Sequence, residues 1–316
     1  MTPTPASPTP NAPDLSISIC GIELKNPIIA ASGTFGYGVE FEDIVHLDRL
    51  GGLVVKGLSA EPIAGNPPPR LYETAAGMLN AIGLQNIGAQ AFLDEKLPAL
   101  REKKNVVVIA NIFGYTRADY ERAVDILNQG DGIAAYELNV SCPNTAHGGI
   151  QFGSDPHLLD EVVRTTKRVA ARPLMVKLSP NVTSIALMAH VAEEAGADAI
   201  SLVNTFLAMA IDAETRRPRI ANVTAGLSGP AIKPIALRMV YDAAHAVKIP
   251  VIGMGGIATP ADVVEFMLAG ASAVQVGTAS FFDPVATEKL VQELSEYCRE
   301  HRIERLCDLT GGLLTD

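Results

Sequence analysis

Eight short apolar runs, each closing on a polar residue or a glycine turn, set the tightest limit on what this chain can fold into. The first four are Ile28 to Ala31 before Ser32-Gly33, Leu53 to Val55 before Lys56, Val106 to Ala110 before Asn111, and Ala134 to Leu138 before Asn139. The next two are Leu174 to Val176 before Lys177 and Ala199 to Val203 before Asn204. The last two, Pro250 to Ile252 and Ala273 to Val276, lead into Gly253-Met254-Gly255-Gly256 and Gly277-Thr278. Nearly continuous apolar runs of this length read as strands buried on both faces, the mark of a parallel sheet. Apolar residues at helical spacing fill Tyr120 to Leu127, Leu158 to Val169, Ile185 to Ala195, Ile235 to Val247 and Ala261 to Leu268. Such strand–helix alternation implies an α/β protein.

Eight units in 316 residues point to one (β/α)8 TIM barrel, whose site lies at the C-terminal ends of the strands. The polar residues that end the runs all fall on that rim. An open doubly wound sheet would carry a G-x-G-x-x-G turn, and Gly33, Gly36 and Gly38 have the wrong spacing for one. Leu15 to Ile19 and Ile22 to Leu24 alternate around Cys20-Gly21, as a short N-terminal hairpin would. The first residues, 1–14, read as a flexible Pro-rich tail, which leaves 15–316 as a single domain. Two insertions, Gly57 to Gln85 and Phe206 to Leu227, read as long loops over the mouth of the barrel.

Charge and cysteine content narrow the function classes. A net charge of −10 argues against a nucleic-acid partner, and Arg216-Arg217-Pro218-Arg219 reads as a solvated loop. No apolar run approaches the roughly 20 residues that span a bilayer, and no secretory signal is legible, so the expected location is the cytoplasm. The four cysteines, Cys20, Cys142, Cys298 and Cys307, contain no C-x-x-C pair, and no metal site is expected on the chain.

Several features of the rim carry chemistry. Gly226 to Pro230, Gly255-Gly256 and Gly277-Thr278 bring bare backbone N–H groups to one corner, where barrels hold phosphate. Lys56 and Lys177 are cations at the ends of apolar strands, suited to an anionic ligand or to a ring that gains charge during reaction. Asn80, Asn111, Asn139 and Asn204 offer the paired donors and acceptors that an imide or carboxamide requires. Cys142 follows Asn139 by three residues and stands where a thiolate can meet a substrate as a base. His147 leaves a Cys/His nucleophilic pair open as an alternative, although no acid in the sequence is placed to orient it. The other cysteines read as structural.

Taken together, Asn139-Val140-Ser141-Cys142-Pro143-Asn144, Asn80 to Leu84, Gly226 to Pro230 and Gly253 to Gly256 resemble the class 1 dihydroorotate dehydrogenases. His147-Gly148-Gly149, Phe152-Gly153 and Leu178 to Thr183 look like the NAD-linked 1B subclass. That resemblance runs from about Leu15 to the C-terminus and implies one FMN per chain. FMN would be held by Ser32, Lys56, Gly57, Asn111, Asn139, Lys177 and Val203, with phosphate contacts at Gly229, Gly255, Gly256, Gly277 and Thr278. Dihydroorotate would be bound by Lys56, Asn80, Ala81, Ile82, Gly83, Leu84, Asn139, Asn204 and Thr205. Cys142 would take the C5 proton while the C6 hydride passes to flavin N5, with Lys177 stabilising the reduced ring.

The subclass further implies a partner subunit carrying FAD and a [2Fe–2S] cluster, and a homodimer core within a heterotetramer. That partner accounts for an NAD-linked reaction on a chain without a dinucleotide fingerprint. Cysteine at 142 and the lack of an apolar N-terminal extension argue against the membrane-associated class 2 enzymes. A dihydropyrimidine dehydrogenase-like FMN barrel and a flavin-free thiol enzyme are the competing expectations.

Overall fold

The computed structural model describes residues 12–141 and 152–315. A hairpin of β1 (Ile17–Ile19) and β2 (Ile22–Leu24) comes first, turned by Cys20 and Gly21, both at positive φ. The barrel begins with β3 (Ile28–Ala30) and β4 (Gly52–Val54). The first insertion contributes β5 (Leu71–Thr74) and β6 (Gly77–Asn80), followed by α1 (Ala89–Ala91) and α2 (Leu97–Glu102). Three strand–helix units follow: β7 (Val108–Ile112) with α3 (Arg117–Leu127), β8 (Ile133–Asn139) with α4 (Pro156–Val169), and β9 (Leu174–Lys177) with α5 (Ile185–Glu194).

The sixth barrel strand, β10 (Ala199–Leu202), is followed by the second insertion. It contains β11 (Phe206–Met209), β12 (Ile211–Asp212), β13 (Arg217–Pro218) and β14 (Thr224–Ser228), and then α6 (Lys233–Ala244). The chain closes with β15 (Val251–Met254), α7 (Pro260–Leu268), β16 (Ala273–Val276), α8 (Ala279–Phe282) and α9 (Ala286–Glu300).

The eight expected strands are all present and close a parallel barrel in the order β3-β4-β7-β8-β9-β10-β15-β16. The five expected helices form, and helix starts carry the side chains that satisfy free N–H groups. Thr116 and Thr259 make reciprocal capping boxes with Asp119 and Asp262, and Asp155 and Ser184 cap α4 and α5. Helix α9 lay outside the sequence reading. Its buried residues Leu290, Leu294 and Cys298 recur every fourth position within a largely charged stretch. After β3 the chain makes only short 3-10 turns at Val39–Phe41 and Leu47–Arg49 in place of a helix.

Both insertions stand over the mouth of the barrel, and each contains short strands as well as loop. Strands β11, β14, β6 and β5 form one antiparallel sheet, with Gly226 opposite Asn80 and Leu227 opposite Leu79. Each strand is too short to announce itself by periodicity, and the central pairing joins β6 to β14, some 150 residues apart in the chain. Arg217 and Pro218 are exposed, in keeping with the solvated basic cluster, although they form β13. Asp14, counted with the tail, bridges to Arg305 and exchanges backbone hydrogen bonds with Glu304 and Leu306.

Two layers inside the barrel position the site. Ile29, Val54, Ile109, Ala135, Met175, Ala199, Ile252 and Ala273, one from each strand, meet as an apolar layer. Ile17, Ile19 and Leu24 of the hairpin close it from below. Side chains alternate along a strand, so the residue two further on points inward again, one layer higher. That layer comprises Ala31, Lys56, Asn111, Glu137, Lys177, Ser201, Met254 and Gln275. Most of its members are polar.

Candidate active site

A cavity of about 470 Å³ opens at the C-terminal rim of the barrel, a size typical of a small-molecule site. Every candidate binding residue from the sequence lines it. On the barrel side stand Ser32, Lys56, Gly57, Asn111, Asn139, Lys177 and Val203, with Asn204 and Thr205 just beyond. Asn80 to Leu84 descend from the inserted sheet, and Gly229, Gly255, Gly256, Gly277 and Thr278 form one corner. Cys142 and His147 lie outside the described residues.

That corner is built by backbone packed against backbone. Gly229, Gly255 and Gly256 all have positive φ, where other residues are strained. A Cβ on Gly256 would stand 2.8 Å from the Gly229 carbonyl, and one on Gly229 would stand 2.7 Å from Gly77 Cα. No side chain fits between these turns. Thr278 Oγ1 donates to Ser228 Oγ at 2.8 Å, tying the last barrel strand to the inserted sheet.

The Asn80 to Leu84 wall is shaped from behind. Asn66 Nδ2 donates to the Ala81 carbonyl at 2.9 Å, and Asn80 Nδ2 donates to the Gly226 carbonyl at 3.3 Å. Gly83 and Leu84 both take positive φ, which turns this segment into the cavity. At the end of β8, Asn139 Oδ1 accepts from Ser141 N at 3.2 Å, and Tyr120 Oη donates to the Asn139 carbonyl at 2.9 Å. Ser141 Oγ donates to the Lys177 carbonyl at 2.8 Å, so the residue before Cys142 is fixed to the neighbouring strand.

The two lysines differ in setting. Lys56 is partly buried, and burial, followed by the positive charge of Arg70, draws it below the ordinary lysine range against the pull of Glu40. Lys177 is buried, and its Nζ lies 3.7 Å from Glu137 Oε1. It is held by a carboxylate and does not snorkel to water.

Glu137 is the residue that sequence reasoning passed over. It has no exposed surface and sits in the upper layer of the barrel interior. Its Oε1 accepts from Asn111 Nδ2 at 2.7 Å; its Oε2 accepts from Ser201 Oγ at 2.9 Å and from Gln275 Nε2 across the barrel. Ser201 and Gln275 were also unread as site residues. The signal was available: each stands two positions beyond an inward apolar residue of its strand, inside a run read as nearly continuously apolar. A buried acid in such a run needs partners.

A closed (β/α)8 barrel whose rim brings Lys56, Lys177, four asparagines and three converging glycine turns to one cavity defines a barrel enzyme suited to a small, polar, anionic ligand. The sequence profile of the family described as Dihydroorotate dehydrogenase matches residues 14–298. The chain therefore belongs to the dihydroorotate dehydrogenase family, as its motifs indicate. It is 63% identical to a protein of Solibacter usitatus named putative dihydroorotate dehydrogenase A (fumarate), over 95% of this chain and 99% of that one. It is 54% identical to the protein of Citrifermentans bemidjiense named dihydroorotate dehydrogenase B (NAD(+)), catalytic subunit, over 95% and 98%. A Geobacter protein of the same name is also 54% identical, with the same coverage. Among solved structures, the dihydroorotate dehydrogenase of Eimeria tenella in complex with ferulenol superposes with a TM-score of 0.81, covering 98% of this chain and 91% of that one. At 22% identity that likeness speaks to the fold alone.

Proposed function

We propose that this chain is the FMN-binding catalytic subunit of an NAD+-linked dihydroorotate dehydrogenase. It oxidises (S)-dihydroorotate to orotate in de novo pyrimidine synthesis. The observation that carries this reading is the convergence on one cavity of every binding residue that the family motif transfers to the described chain.

The residues fit FMN. Asn111 Oδ1 and Gln275 Oε1 are buried acceptors without a hydrogen-bond partner, and both residues line the cavity, where a ring N–H or a ribityl hydroxyl would supply one. The Gly229, Gly255–Gly256 and Gly277–Thr278 turns offer a phosphate backbone N–H groups and no bulk. FMN, when bound, supplies the acceptor for the hydride that leaves C6.

The chain's own groups do the rest. Lys56 faces the substrate carboxylate, and Asn80, Asn139, Asn204 and the Ala81 to Leu84 backbone hold the ring. Cys142 removes the C5 proton, and Lys177 supplies positive charge as the electrons arrive. A partner subunit carrying FAD and a [2Fe–2S] cluster would supply the route to NAD+, in a cytoplasmic heterotetramer built on a homodimer of this chain. Among the described residues no helix is long and apolar enough to cross a membrane.

A second reading has its own support, since the relative at 63% identity carries the name of the fumarate-linked enzyme. In that reading fumarate is the electron acceptor.

The visible spectrum of the purified protein, before and after anaerobic dihydroorotate, tests the half-reaction. Bleaching of a flavin band supports it; a flavin band untouched by dihydroorotate refutes it. Turnover by the chain alone with fumarate favours the second reading, whereas turnover with NAD+ that requires the co-expressed partner favours the first. Cys142→Ser is expected to keep flavin and orotate binding while slowing flavin reduction about 100-fold or more near neutral pH. Unchanged reduction would remove Cys142 from the base role.

A further inference from the structure

We propose that Glu137 is a positioning residue that sets the electron affinity of the bound flavin, by fixing the amides of Asn111 and Gln275 and tempering the charge of Lys177. This rests on the cofactor reading above and goes beyond it, because the family motif assigns Glu137 no role.

The geometry begins with a fully buried carboxylate in the middle of the barrel. Four donors from four other strands reach it: Asn111 Nδ2 at 2.7 Å, Ser201 Oγ at 2.9 Å, Gln275 Nε2, and Lys177 Nζ at 3.7 Å. A carboxylate only accepts, so each amide must turn its NH2 toward Glu137. The carbonyl oxygens Asn111 Oδ1 and Gln275 Oε1 are thereby left as buried acceptors without partners, on residues that line the cavity. Glu137 thus decides which end of each amide is left for the occupant. Glu137 does not itself line the cavity and acts through the residues that do.

A buried cation beside a ring that becomes anionic on reduction favours the reduced form. A carboxylate 3.7 Å from that cation offsets part of its field, and the low local dielectric keeps both effects strong. Glu137 therefore holds the flavin at a potential from which electrons still pass to a further acceptor.

Glu137→Gln keeps the shape and removes the charge. The expected result is retained FMN with a midpoint potential shifted to more positive values. The reduced flavin is favoured about tenfold over wild type, about 30 mV for a two-electron couple. A glutamine also cannot accept on both atoms, so one of the three neutral donors must turn away, and FMN affinity falls with the shift. Ser201→Ala strips one donor from the same carboxylate and leaves its charge exposed. It is expected to move the potential a few-fold in the opposite, negative direction, and it serves as the deciding variant if Glu137→Gln does not fold or hold FMN. Flavin-loaded variants with wild-type potentials, or shifts of the opposite sign, would overturn the role of Glu137 and leave the cofactor reading intact. A wild-type chain that binds no FMN, even on reconstitution or with the partner co-expressed, would overturn the cofactor reading and this inference with it.

Discussion

Lys56 carries two pH-dependent consequences at the scale of the single residue. Its native pKa lies below the ordinary 10.5, so burial penalises the protonated form. That penalty to stability is full below the native pKa and is relieved as pH rises toward 10.5, because the unfolded chain binds more protons in that window. On the role proposed for Lys56, binding of an anionic substrate needs the same proton. Orotate affinity is expected to hold through neutral pH and then weaken as pH climbs through a midpoint below 10.5, as titration of the flavin spectrum would record. In Lys56→Met the affinity should be low and flat; a Lys56→Met profile like the wild type would assign the pH dependence elsewhere. Cys20 provides a contrast. Burial, with the charge of Asp198, pushes its thiol up to about 11 from 9.0, and its Sγ donates to the Asp198 carbonyl at 3.2 Å. Its thiolate fraction at pH 8 is then about a hundredfold below that of an ordinary cysteine. Mass-spectrometric mapping of alkylation should find Cys20 among the slowest thiols of the native protein and unremarkable in the unfolded chain.

At the scale of the element, the inserted sheet is the part of the fold on which the site most depends. Gly77 in the β5–β6 hairpin has no room for a side chain, since a Cβ there would stand 2.1 Å from the Ser228 carbonyl. Gly77→Ala must therefore push β6 away from β14 and disturb the Ser228–Thr278 link at the glycine corner. The expected outcome is barrel circular dichroism close to wild type with FMN affinity at least about tenfold weaker, since each 1.4 kcal/mol of lost contact is tenfold. Normal FMN affinity in this variant would mean that the corner is organised by the barrel alone. The helix starts answer differently. Thr259→Ala removes one half of the capping box of α7 and is expected to cost about 1 kcal/mol in a urea titration.

The whole molecule separates stability at one end of the barrel from chemistry at the other. Ile17, Ile19 and Leu24 seal the lower apolar layer, while the cavity opens above the polar one. Ile19 is buried, and Ile19→Ala is expected to lower unfolding free energy by roughly 2–5 kcal/mol. FMN affinity and turnover at 25 °C should stay near wild type, because two layers of side chains lie between. A parallel loss of FMN binding in the folded variant would show that the hairpin reaches the site.

The barrel was legible in the amino-acid sequence, because parallel strands buried on both faces read as nearly continuous apolar runs and alternate with amphipathic helices. The sequence also determined the rim, because Lys56, Asn111, Asn139, Lys177 and Asn204 stand where those apolar runs stop. The pairing of β6 with β14 was decided only by the tertiary structure, since two four- or five-residue segments so far apart carry no local mark of each other. The role of Glu137 was hidden for a related reason. An acid inside an apolar run is legible as an anomaly, but Asn111, Lys177, Ser201 and Gln275 come from four other strands. Closure of the barrel is what brings them within hydrogen-bonding or charge-pairing reach of one carboxylate.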